Sequence, residues 1–149
     1  MLILLVGLDA RAVDSLRPCL AAVAPVADVS VVHDSQEIQA EFFGRRPDVV
    51  VIDVGTLGTR GWTLAHALRR RWDGAVIVLA DGKPSTESFR TRCDAYVAKP
   101  FEPQQLMDSI AFLVPQLARR SDRHRYNFRR RRLRAISENP SLRLYRREL

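Results

Sequence analysis

Pro47-Asp48-Val49-Val50-Val51-Ile52-Asp53 decides the fold of this 149-residue chain. Four consecutive β-branched residues, opened by a proline and closed by a carboxylate, predict a strand buried on both faces, as in parallel sheets covered by helices. Leu2–Val6 and Val29-Ser30-Val31-Val32 upstream, with Ala75–Leu79 and Ala95–Ala98 downstream, repeat the signal. Between them the apolar residues fall three and four apart, the spacing of one helix face. These are Val13, Leu16, Leu20 and Val23, then Ile38 and Phe42, then Trp62, Ala65 and Leu68, and last Leu106, Ile110 and Leu113. Pro18 is expected to kink or shorten the first helix, and Pro103 to open the last. Val54 to Gly61, rich in glycine and threonine, reads as a loop. Asp81 to Arg92 is polar and leaves room for a short helix only. Strands alternating with helices predict an α/β domain, a doubly wound five-stranded parallel sheet. Ligands of such sheets sit beyond the carboxyl ends of the strands, where Asp53 lies.

Composition separates two regions. The net charge is +7, yet Met1 to Phe112 hold 12 Lys+Arg against 14 Asp+Glu, and the rest of the chain holds 12 Arg against 3 acids. All the basic excess therefore belongs to the C-terminal part, and the domains are read as 1–114 and 115–149, with Val114-Pro115 expected to kink or end the last helix. No apolar run is long enough for a membrane span, and Met1–Val6, without a basic lead-in, reads as a buried strand and not a signal peptide. Cys19 and Cys93 lie far apart, with no CxxC or histidine company, so reduced thiols in a cytoplasmic setting are expected and a zinc site is not. Neither cysteine has an adjacent base that would make it a nucleophile.

Two stretches carry a resemblance. Pro47 to Asp53 is similar to the third strand of bacterial response-regulator receiver (CheY-like) domains, and Asp94-Ala95-Tyr96-Val97-Ala98-Lys99-Pro100-Phe101 to their fifth. Ala75 to Leu79 resembles the fourth. The resemblance covers about Met1 to Leu113, and its most specific part is the Lys-Pro-Phe element 46 positions after a strand-end aspartate. It implies the flavodoxin-like receiver fold, Asp53 as phosphoacceptor, Lys99 as the cation that pairs with the phosphoryl oxygens, a cis proline after it, and Tyr96 at an aromatic switch position. Phosphoryl transfer of this kind depends on positioning and charge neutralisation by Mg²⁺.

Two parts of that machinery are missing. The acidic pair expected after the first strand is Gly7-Leu8, with Asp9 one residue late, so a metal held by Asp9 and Asp53 lacks its usual ligand set. The hydroxyl expected after the fourth strand is Ala80. The sequence thus reads as a pseudo-receiver, atypical and non-enzymatic, with no cofactor required and Mg²⁺ relevant only if phosphorylation occurs. The alternative is a phosphorylatable single-domain regulator of a two-component system, accepting phosphate on Asp53 from a sensor kinase. A third reading makes Asp53 and Lys99 a structural ion pair across strand ends. Receiver domains often pair through the fourth helix, fifth strand and fifth helix. A homodimer is among the partners the resemblance leaves open, with the short fourth helix weighing against that form of pairing.

Residues 115–149 hold Arg119, Arg120, Arg123, Arg125, Arg129, Arg130, Arg131, Arg132 and Arg134, with Tyr126 and Phe128 between them. Arginine forks suit phosphate and carboxylate, and interleaved aromatics offer stacking surfaces for RNA or DNA. Docking on an acidic protein or larger assembly is a second reading, a solvated or disordered tail a third, and an anionic membrane surface a weaker fourth. No helix-turn-helix or RNA-recognition module fits the remaining length. The functional expectation is an adaptor that docks a protein through its receiver-like domain and an anionic partner through the basic extension.

Overall fold

The computed structural model describes residues 1–23 and 27–117. In chain order these form β1 (Leu2–Val6), α1 (Ala10–Val23), β2 (Asp28–Val32), α2 (Ser35–Arg45), β3 (Val49–Asp53), α3 (Val54–Leu57), α4 (Thr59–Arg71), β4 (Ala75–Asp81), α5 (Thr86–Thr91) and β5 (Ala95–Lys99). A last helix, α6, runs over residues 103–117. The arginine cluster lies at residues 118–149, outside the described residues, as does most of the expected second domain 115–149.

All five strands pair in parallel, in the order β2-β1-β3-β4-β5. The order places β3 at the centre of the sheet, and every residue of it is buried. Alternation along each strand serves both faces. Ile3, Leu5, Val49, Val51, Ile77 and Leu79 meet α1 and α6 through Val13, Leu16, Leu20, Leu106, Ile110 and Leu113. Leu4, Val6, Val50, Ile52, Val76 and Val78 meet α2 and α4 through Ile38, Phe42, Trp62, Ala65 and Leu68. The continuous apolar runs are the consequence, because no face of a central strand touches water. Burying an aliphatic side chain contributes about 1.5–3 kcal/mol, so these two layers dominate the stability.

Two prolines stand inside helices. α1 continues past Pro18, and α6 continues past Pro115 to residue 117, so Pro115 does not end it. Each proline deprives the carbonyl four residues earlier of a donor. Those carbonyls belong to Asp14 and Ala111, both exposed residues, where solvent is at hand to take the place of the lost donor. The segment after β3 also differs from the expected loop. Val54–Leu57 is a helical turn capped by Asp53, whose carboxylate accepts the Thr56 amide. α5 is only six residues long, as the polar sequence there predicts. Among the described residues, no helix is long and apolar enough to cross a membrane.

Candidate functional site at the carboxyl edge of the sheet

The register of the strands assembles the site. Asp53 ends β3 opposite Leu79, while Asp81 and Lys99 end β4 and β5 opposite each other. The buried Asp53 carboxylate has three donors. Lys99 Nζ lies 2.5 Å from its Oδ2, Thr56 Oγ1 donates to the same oxygen at 3.0 Å, and the Thr56 amide donates to Oδ1 at 3.1 Å. A carboxylate this buried requires such partners, since an unpaired buried charge is costly. The sequence-predicted pair, Asp53 and Lys99, is thus brought together. Thr56 was not singled out by sequence; the signal for it is Asp-x-x-Thr at the start of a turn.

Asp81 also joins the site unannounced. Its Oδ2 would lie 2.9 Å from a Cβ built on Gly55, and Asp53 Oδ1 would lie 3.3 Å from the same point, so only glycine lets the two carboxylates flank this turn. Asp81 and Lys99, with Ala12, Ser15, Pro100, Phe101 and Pro103, line an open cavity of about 520 Å³. The Lys99-Pro100 peptide is cis, as the resemblance implies.

The remaining positions are placed elsewhere. Asp9 is exposed and caps α1, accepting the Ala12 amide at 2.8 Å. Leu8 is buried in the α1/α6 layer. Gly7 has a left-handed φ of +77°, and a Cβ there would meet Leu57 Cγ at 2.7 Å and Cδ1 at 2.8 Å. Where the resemblance calls for two carboxylates the chain offers a bare Cα with a leucine packed on it. Among the described residues, no three His, Cys, Asp or Glu side chains are grouped to hold a metal. The residues present do not fit the magnesium site that the resemblance implies. Ala80 is buried in the layer under α4 and carries no hydroxyl.

The Tyr96 hydroxyl points to the β4–α5 loop, donating to the carbonyls of Gly82 and Lys83, each at 3.1 Å. Burial first, then the Asp81 and Cys93 charges, push its phenol above the ordinary tyrosine value. A raised value in the folded state gives stability that is present below the ordinary tyrosine pKa and lost as pH climbs through the folded one. Subtracting the phenolate absorbance titration of Tyr96→Phe from that of the intact protein should leave a component above free tyrosine. A component at or below free tyrosine would contradict the arrangement. Burial also pushes up the Cys93 thiol, with Asp94 adding to it, which disfavours the reactive thiolate.

No family model matches the sequence, and no curated protein does either. Solved structures do. The signal receiver domain of a DNA-binding response regulator from Colwellia psychrerythraea 34H aligns with a TM-score of 0.68 at 20% identity, over 77% of this chain and 98% of that one. A response regulator from Thermotoga maritima aligns with a TM-score of 0.66 at 19% identity, over 76% and 97%. A CheY-like receiver domain protein from Methanospirillum hungatei JF-1 gives 0.63 at 22% identity, over 82% and 97%. Strand order, the cis proline after β5 and these superpositions agree: the described residues have the fold of a response-regulator receiver domain.

Proposed function

We propose that the chain is a non-enzymatic, atypical response-regulator adaptor, in which the receiver-like domain docks a protein partner and the arginine-rich extension binds an anionic one. The observation that carries this reading is the apolar setting of Asp53 where the resemblance calls for two acids and a hydroxyl. Gly7 and the buried Leu8 follow β1, Leu57 packs on Gly7, and the β4 position that would report a phosphoryl group, one before the strand's last residue, is the apolar Ala80. Receiver folds signal through protein contacts, and this one keeps the fold while losing parts of the chemistry.

Incubation with acetyl phosphate and Mg²⁺, read by intact-mass spectrometry, is expected to leave the protein unmodified. Stoichiometric labelling that disappears in Asp53→Ala would favour the competing reading, a phosphorylatable regulator served by a sensor kinase. The retained Asp53–Lys99 pair is the observation on that side.

For the extension, neutralising phosphates with arginine releases counterions and makes affinity fall with salt. Anisotropy of labelled single-stranded RNA and DNA should show binding that weakens with added salt and is reduced when Arg129, Arg130, Arg131 and Arg132 are changed to glutamine. Equal affinity of the two proteins would move the search to acidic protein partners in the cytoplasm.

A further inference from the structure

We infer that the side chain of Leu57 stands where a receiver site would hold its divalent cation, so that the Asp53 cluster is built to work without metal, with Lys99 as the cation paired to Asp53. The inference deepens the adaptor reading and rests on it. Three independent features of the chain converge here. The first is steric. The left-handed φ of Gly7 and the 2.7 Å from its would-be Cβ to Leu57 Cγ place the leucine branch directly on the Gly7 Cα, at the carboxyl end of β1. Leu57 belongs to the turn that Asp53 itself caps, and its side chain is packed on the α2/α4 layer. The leucine branch is thereby tied to the acceptor-like aspartate by one turn of helix.

The second feature is the fate of the neighbouring acids. Asp9 spends its carboxylate on the α1 amide of Ala12 and stays exposed, and the residue between it and Gly7 is the buried Leu8. The third is Asp53, whose oxygens already receive an ammonium, a hydroxyl and an amide. A hard divalent cation wants several oxygen ligands in a fixed geometry. Entering here, it would have to displace an apolar branch and compete with Lys99 for Asp53, with Asp81 across Gly55 as the other carboxylate at the turn. Neither change brings in a replacement ligand. An aliphatic group beside a lysine-neutralised carboxylate needs no ion, and it holds the turn Val54–Leu57 against β1 through packing.

The test uses the full-length ¹⁵N-labelled protein and Mn²⁺ alone as the probe, read as paramagnetic broadening of amide signals. The intact protein is expected to show no saturable broadening at Gly7, Gly55 or Thr56. Leu57→Asp is expected to gain it, because the substitution exchanges the apolar branch for a carboxylate in the same place. Leu57→Asn is run beside it, so that a neutral, oxygen-bearing side chain of the same size answers if the acid spoils the spectrum. Saturable broadening at those three amides in the intact protein overturns the inference. So does a variant that keeps a dispersed spectrum yet gains nothing. Phosphorylation by acetyl phosphate is measured on the same samples. Mn²⁺ binding by the intact protein without labelling removes the inference and leaves the adaptor, whereas labelling of Asp53 in the intact protein removes the adaptor itself.

Discussion

Lys99→Met is expected to cost about 3 kcal/mol of folding stability, because it strands the Asp53 carboxylate in a buried position. The figure is at the low end of the range for breaking a buried pair, since Lys99 keeps 28% of its side chain exposed while Asp53 keeps 6%. Asp53→Asn in the same chain should recover most of the loss. The asparagine carbonyl still accepts from Thr56, and no charge is left without a partner. Urea denaturation of the two single variants and the double one measures the coupling. Additive losses would mean that the ammonium and the carboxylate are independently solvated, contrary to their contact.

Gly7→Asp, the change that restores an acid after β1, is expected to lower stability by about 2–5 kcal/mol. A side chain at a left-handed φ costs about 1–2 kcal/mol, and forcing it against Leu57 adds about 1–3 kcal/mol of overpacking. Gly7→Ala with Leu57→Ala should be milder than the sum of the two single changes, since the methyl then fills part of the space the leucine leaves. Thermal denaturation of the set separates the two contributions: the part that Leu57→Ala relieves is packing, and the part that persists is backbone. No loss in Gly7→Ala would contradict both contributions, the left-handed backbone at Gly7 and the contact with Leu57.

The sheet was legible because its central strands are covered on both faces. Such strands need unbroken apolar runs, and Val49–Ile52 and Ala75–Leu79 supply them, rich in β-branched residues and bounded by Pro47 and Gly74. Asp53 and Lys99 were legible as strand-end polar residues at a characteristic separation, and the structure joins them. Thr56 escaped because threonine beside two glycines reads as loop chemistry, and only the cap bond from its amide turns the stretch into a helix. Leu57 and Asp81 carry no local signal at all. Their positions follow from how the end of β1 meets the turn after β3, and how β4 registers with β5, which are long-range facts. Pro115 does not end α6 because it lies where the residue whose carbonyl it leaves unpaired, Ala111, is exposed, so the lost bond has little cost.

Lys99 reaches Asp53 over β4, which pairs with both their strands. The contact therefore closes a 46-residue separation and needs β3, β4 and β5 all in register. Contacts of such long range form after the local ones, because the loop must be closed before it is rewarded. The consequence is kinetic. Loss of the ion pair should appear almost wholly as faster unfolding, with the refolding arm of the chevron unmoved. The carboxyl edge is then the last part of the domain to be made and the first to come apart, and Asp53 acts on how long the folded state lasts more than on how fast it is reached.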